Sequence, residues 1–269
     1  MDKIVRQFAK IKQEERIGLM THVVIGYPSM KETEKIVLAM VEAGVDFIEL
    51  QMPFSDPLAD GPAIMQANQR ALQNGIGMLD NLALMKKLSS QVNIPLFFMG
   101  YYNTVYNYGG ERFCQAAARA GASGLIIPDM PREEEKREGF YAASRKNGLA
   151  NIIVVSPTTT ADRLKKISRE VKGFVYCMAR SGVTGTRTDF SKNLPKYLGR
   201  VRKYVKVPLG VGFGISQGAD IKKLLGVAEV AIVGSAVINL LGKSSSVRRI
   251  SAVNKFIKTL VKASFYGNS

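Results

Sequence analysis

The stretch ELQMPFSDPLADGP, residues 49–62, holds the carboxylates Glu49, Asp56 and Asp60, three prolines and no lysine or arginine. The chain carries a formal net charge of +16, so an uncompensated acidic segment points to a site that moves protons. Glu49 lies near the end of the apolar run DFIEL. If that run is a strand, alternation places Phe47 and Glu49 on one face and Ile48 and Leu50 on the other. With Phe47 facing a barrel interior, Glu49 stands at an apolar mouth, where desolvation favours the neutral acid and suits a general acid/base. Asp60, ahead of Gly61-Pro62, is by type a helix N-cap or turn residue. Asp56, between Ser55 and Pro57, is equally a turn former. Composition alone does not choose the working acid.

A second group of residues suits phosphate. VGFGIS (211–216) and IVGSAV (232–237) each place glycine or serine after an apolar run and before a helical one. Exposed amides and the helix dipole at such a junction attract a phosphate dianion. RSGVTGTR (180–187), with small residues flanked by Arg180 and Arg187, reads as a lid over an anionic substrate. GKSSS (242–246) resembles the tail of a P-loop, but Val237 stands where that motif needs glycine. GVGFGI has Ile215 at the third glycine position of a dinucleotide fingerprint, so neither nucleotide motif is complete. His22 is the only histidine; a lone histidine in a strand reads as satisfied core or pocket lining. Cys114 and Cys177 lack metal-ligand spacing, and Cys177, alternating with Val175, reads as buried and inert.

These groups need a scaffold, and the chain repeats one unit. A helical stretch ends in Ala-Gly, a few residues pass, and a short β-branched run follows, as in MVEAGVDFIEL (40–50) and AARAGASGLIIPD (117–129). Gly44 and Gly121 fit the left-handed helix stop. Eight apolar runs of strand length recur, separated mostly by helical segments; the long gap from 51 to 93 holds the acidic loop and two helical stretches. The pattern fits an α/β fold, a single (β/α)8 TIM barrel with additional helices spanning 1–269. The first twenty residues read as an amphipathic helix with Ile4, Phe8 and Ile11 on one face rather than as a signal peptide. No run of eighteen apolar residues suggests a membrane span. SVRRISAVNKFIKTLVKA (246–263) reads as a docked outer helix through Ile250, Val253, Ile257, Leu260 and Val261. Residues 1–140 contain 15 Lys+Arg and 17 Asp+Glu, whereas 141–269 contain 23 and 5. This asymmetry fits an anionic partner or substrate, or a solvated basic face. A nucleic-acid binder is disfavoured, since no basic strand is interleaved with aromatics. Cysteine usage suggests the cytosol.

End to end, the chain resembles the alpha subunit of tryptophan synthase. The resemblance rests on IELQMPFSDPLADGPAIMQ, MGYYNTVYNYG, GLIIPDMP, GFVYCMARSGVTGTR, VGFGIS and VGSA, in that family's order and spacing. It implies a (β/α)8 barrel that cleaves indole-3-glycerol phosphate by a retro-aldol step into indole and glyceraldehyde 3-phosphate. It also implies a beta subunit partner, in an alpha2-beta2 tetramer, with pyridoxal phosphate in that partner and no cofactor or metal in this chain. By the resemblance, Glu49 is the general acid/base and Asp60 accepts the indole N–H and stabilises the cationic ring. Gly185, Gly214, Gly234 and Ser235 match phosphate ligands, so that the basic second half takes the phosphate end. Tyr176 and Phe213 match pocket residues, and Thr184 matches a lid residue reaching Asp60. Gly182 and Gly185 give the lid its backbone freedom. Pro53 and Asp56 match positions facing the beta subunit. Two residues depart from the family's pattern: Gln51, where a glycine is usual, and His22, where an aromatic residue or proline is common. A catalytically weak subunit that mainly activates its partner is the alternative reading.

Overall fold

The computed structural model describes residues 2–130, 132–178, 193–212 and 214–267. All eight apolar runs form strands, and all pair in parallel: β1 (Gly18–Val24), β2 (Phe47–Gln51), β3 (Leu96–Met99), β4 (Gly124–Ile126), β5 (Ala150–Asn151), β6 (Ile153–Val155), β7 (Val175–Met178), β8 (Leu209–Gly212) and β9 (Val230–Val233). The sheet order is β5-β4-β3-β2-β1-β9-β8-β7-β6. Its two terminal strands are one stretch of chain. Only Ile152 separates β5, paired to β4, from β6, paired to β7. Ile152 still donates its N–H to Leu125 at 2.9 Å. The ring therefore closes through residues 150–155, and nine segments occupy eight strand positions of a TIM barrel with extra helices. The fifth run of the sequence is the one that divides.

Alternation along each strand makes two cores. The outward face packs under the helices, with Ile48, Leu50, Leu96, Phe98, Val211 and Val233 among its members. The inward face holds Met20, Phe47, Phe97, Ile152, Phe174 and Ile232. Phe47, Phe97 and Phe174 fill the barrel with ring centroids 5.7–6.3 Å apart. Glycine makes room for them. A side chain at Gly210 would meet the Phe174 ring at 3.0 Å, and one at Gly124 would meet the Ala150 carbonyl at 2.4 Å. The N-terminal helix Asp2–Gln13 closes the bottom, burying Ile4 and Ile11 and placing Phe8 5.1 Å from Phe47. Beside this plug Asp46 binds Arg16 at 2.6 and 2.7 Å and Gln7 at 2.6 Å, joining the first helix to the sheet. The N-terminal end of the barrel is thus sealed, and its chemistry is confined to the C-terminal mouth.

Helix boundaries follow local signals. Gly44 and Gly121 take φ of 97° and 85° after their helices, as a left-handed stop requires. Helices Pro62–Gln73 and Met78–Gln91 fill the long gap after the acidic loop. The C-terminal helix Ser246–Ala263 buries Val253, Ile257 and Leu260, and Asn254 ties it to the Ala39 carbonyl at 3.1 Å. Arg249 adds an ion pair with Glu32. Much of the basic excess lies on outer helices, where Lys165, Lys196, Lys203 and Lys255 are exposed. No helix among the described residues is long and apolar enough to cross a membrane.

Candidate active site

The β1–β2 register sets His22 opposite Glu49 and Val24 opposite Gln51. Inward alternation carries His22, Glu49 and Gln51 into the layer above the phenylalanines, at the open end. His22 Nδ1 lies 2.9 Å from Glu49 Oε1. Their exposures are 2% and 1%. One strand position further, Gln51 Nε2 donates to Asp60 Oδ2 at 2.8 Å. Asp60 is not the helix cap that its neighbours suggest. The cap of helix Pro62–Gln73 is Gly61, with Pro62 inside the first turn, and the Asp60 side chain turns back to the barrel instead.

Tyr101, just past β3, organises the acidic loop. Its ring stacks on Phe54 at 4.9 Å, and its hydroxyl accepts the Ala59 N–H at 3.1 Å. Asn68 accepts the Phe54 N–H at 3.0 Å, and Asp60 N–H returns to the Pro57 carbonyl at 2.9 Å. These bonds hold Asp60 at 8% exposure, while Asp56 stays exposed and Pro53 is buried beneath the loop.

Burial sets the electrostatics. Desolvation raises the Asp60 carboxyl above its ordinary range, only partly opposed by the Gln51 hydrogen bond and by His22 and Tyr101. For His22, burial works to lower the imidazole. The hydrogen bond and charge of Glu49, with Asp60 and Gln51 behind them, prevail, and it is raised. The Tyr176 hydroxyl is pushed well up by burial and by the charges of Glu49 and Asp60. Cys177, fully buried and outside this site, is pushed up to about 12, as an inert core thiol should be.

Glu49, Asp60, Tyr176, Gly214, Gly234 and Ser235 line one cavity of about 610 Å³. Sequence reasoning did not single out Tyr101, Asp129 or Asn239, which also line it. Tyr101 and Asp129 follow strands, and that position in a barrel is the signal that could have found them; Asn239 lies in the second turn of the helix after β9. Asp129 accepts the Tyr102 N–H at 2.8 Å, and burial raises its carboxyl. Arg180, Gly182, Thr184, Gly185, Arg187 and Phe213 lie outside the described residues. A more open groove of about 1060 Å³ runs beside the acidic loop over Pro57, Met65 and Gln69. Among the described residues no titratable group lines it, so the proton chemistry belongs to the smaller cavity.

The wall that follows β8 and β9 is built of backbone. Gly234 caps helix Ser235–Lys243, and the Ser235 and Ala236 amides lie ahead of its first intrahelical bonds, which Val237 and Ile238 N–H make to the Gly234 carbonyl at 3.0 and 3.4 Å. A side chain there would come within 3.9 Å of the His22 Cβ. Gly214 has φ of +72°, which favours glycine. Beyond it the Ser216 amide is already taken by Asp220 at 3.1 Å. Among the described residues no lysine or arginine lines the cavity, so an anion held at this wall would rely on amides and the helix dipole. No cluster of three His, Cys, Asp or Glu among the described residues has the geometry to hold a metal. The cavity thus joins paired carboxylates able to exchange protons to a wall able to hold a phosphate.

An acid raised by burial withdraws stability as it ionises. Asp60 stabilises fully below the ordinary carboxylate value of about 4, and that contribution is lost as pH rises through its raised value. Asp60→Asn keeps an acceptor for Gln51 but cannot ionise. Its melting temperature should therefore exceed the parent's at pH 7, and the difference should shrink towards pH 3.5. Thermal denaturation across that range checks this; a constant difference would contradict it.

The model of the family described as tryptophan synthase alpha chain matches residues 8–264. The tryptophan synthase alpha chain of Syntrophotalea carbinolica is 44% identical over 251 residues, covering 93% of this chain and 96% of that one. That of Desulfotalea psychrophila is 41% identical over 260 residues, covering 97% and 99%. A solved structure of Mycobacterium tuberculosis tryptophan synthase superposes with a TM-score of 0.89 at 31% identity, covering 98% of each chain.

Proposed function

The chain belongs to the tryptophan synthase alpha chain family, and we propose that Glu49 and Asp60 divide the proton chemistry of its reaction between them. The alpha subunit is a carbon–carbon lyase of tryptophan biosynthesis that cleaves indole-3-glycerol phosphate to indole and glyceraldehyde 3-phosphate, and it works with a beta subunit. In the proposed division, Glu49 protonates the ring carbon that bears the glycerol phosphate chain and takes the proton of the adjacent hydroxyl. The carbon–carbon bond pair returns to the ring, and the hydroxyl oxygen becomes the aldehyde. Asp60 accepts the indole N–H and, as an anion placed beforehand, stabilises the positive charge that develops on the ring.

The observation that carries this reading is the convergence of Glu49 and Asp60 on one cavity that Gly214, Gly234 and Ser235 also line. Phosphate anchored on those three residues places the indole end among the carboxylates and Tyr176. Arg180, Gly182, Thr184, Gly185, Arg187 and Phe213 complete the lid and pocket in this proposal. The exposed Asp56, with Pro53 below it, faces the beta subunit at the same mouth, within an alpha2-beta2 assembly. The chain acts in the cytoplasm as one barrel domain, with pyridoxal phosphate held by the partner and no cofactor of its own.

General acid–base catalysis contributes about 10²–10⁴-fold. Glu49→Gln should lose a factor of that order in kcat with KM little changed, because the lost interaction belongs to the transition state. Asp60→Asn should also lose orders of magnitude, and Asp60→Glu should retain part of the activity because the charge remains. Steady-state indole release tests all three; Glu49→Gln within a few-fold of the parent would refute the assignment. At the wall after β9, Gly234→Asp places a carboxylate where the phosphate sits. It should raise KM for indole-3-glycerol phosphate, and an unchanged KM would remove that wall as the phosphate site.

A further inference from the structure

We infer that His22 is a positioning residue for Glu49: its Nδ1 holds Oε1, the two side chains share one proton, and Oε2 is left to work on the substrate. The inference rests on the reading of Glu49 as the proton-transfer group.

Geometry carries it. The β1–β2 register fixes His22 opposite Glu49, and the 2.9 Å contact lies in a layer with almost no solvent exposure. Buried polar groups are ordinarily paired. Here His22 Nε2 and Glu49 Oε2 are both buried without a partner. Each member of the pair has spent one atom on the other and retains one for something else. Two side chains that only filled space would not need this arrangement, and a hydrophobic pair would be cheaper to bury.

The charge census points the same way. Sharing the cavity with His22 are Glu49 from β2, Asp60 from the loop after it, Tyr101 after β3, Asp129 after β4 and Tyr176 on β7. From β8 and β9 the cavity receives Gly212, Gly214, Ile232 and Gly234, none of them titratable. Among the described residues His22 is the only cavity side chain able to carry positive charge, set against three carboxylates. A carboxylate at this distance favours the charged imidazole, so a proton on His22 is well held. Cleavage moves one proton from the substrate hydroxyl to the ring carbon. The pair therefore ends each turnover with the same single proton it began with, and no outside donor is needed. Held at Oε1, the Glu49 carboxylate also cannot swing away from the substrate, which fixes the oxygen that reacts.

The test is the pH dependence of kcat and KM for indole release by the alpha–beta complex. His22→Phe keeps a ring of similar size and removes the shared proton. His22→Asn keeps a donor near the Nδ1 position but cannot take a charge. His22→Phe should lower kcat by about tenfold or more with KM within about threefold, and the alkaline limb that loss of the His22 proton gives the parent's kcat profile, placed above the ordinary imidazole value by Glu49, should vanish. His22→Asn should recover part of kcat yet also lack that alkaline limb. A His22→Phe enzyme with the parent's kcat and profile would overturn the inference. Should that variant not fold, the parent's profile in His22→Asn would do so. Glu49→Gln run in parallel separates the two readings. If it is inactive while His22→Phe behaves as the parent, only the role of His22 falls; if it is active, the role of Glu49 falls first.

Discussion

A carboxylate can remain at the end of a dry barrel only if something shares its charge. Below Glu49 the interior is filled by Phe47, Phe97 and Phe174 and sealed by the helix Asp2–Gln13, so no water reaches it from that side. The β1–β2 register brings His22 to Glu49, and the next inward position brings Gln51 to Asp60. The site depends on these two contacts. Each leaves a carboxylate buried, oriented and provided with a partner that does not consume both of its oxygens.

The rest of the barrel is arranged around that layer. The bulky inner side chains fit because glycines stand opposite them: Gly210 beside Phe174, and Gly212 beside Tyr176, where a side chain would meet the hydroxyl at 2.9 Å. The acidic loop closes over the cavity because Tyr101 binds it by ring and by hydroxyl. The cavity combines groups of opposite electrostatic character, carboxylates after β2 and helix-terminal amides after β9. A substrate carrying a phosphate and a ring that becomes positive is bound in one orientation by such a field. Long-range basic charge is not needed at that wall among the described residues, and much of it is carried instead by exposed outer helices.

Much of this was legible in the sequence because it depends on local periodicity. The repeated Ala-Gly stops, the eight apolar runs and the alternation of Phe47 with Glu49 are properties of short segments, and the fold keeps them. The division of the fifth strand at Ile152 was not legible: NIIVVS contains no breaker, and the division arises from pairing with different neighbours on its two sides. Asp60 looked like a cap because its neighbours are Gly61 and Pro62; its true partner is nine residues back, across the turn. His22 was read as satisfied core or pocket lining and Gln51 as a departure from a pattern, since neither residue's partner can be seen without the strand register. Tyr101, Asp129 and Asn239 meet the cavity from three different loops or helices, and no spacing in one segment encodes that meeting.

The pairing of His22 with Glu49 can be observed without kinetics, because His22 is the only histidine of the chain. In an untagged protein labelled with ¹⁵N-histidine, every imidazole signal reports on that side chain. A free imidazole loses its proton near pH 6.5, a value of about 6.5 being the ordinary one. The carboxylate neighbour raises it in this site, so His22 should stay charged above that pH in the parent, and Glu49→Gln should shift its titration downward. Titration at or below the ordinary value in the parent, unchanged in Glu49→Gln, would show that the two side chains share no proton and would contradict the account.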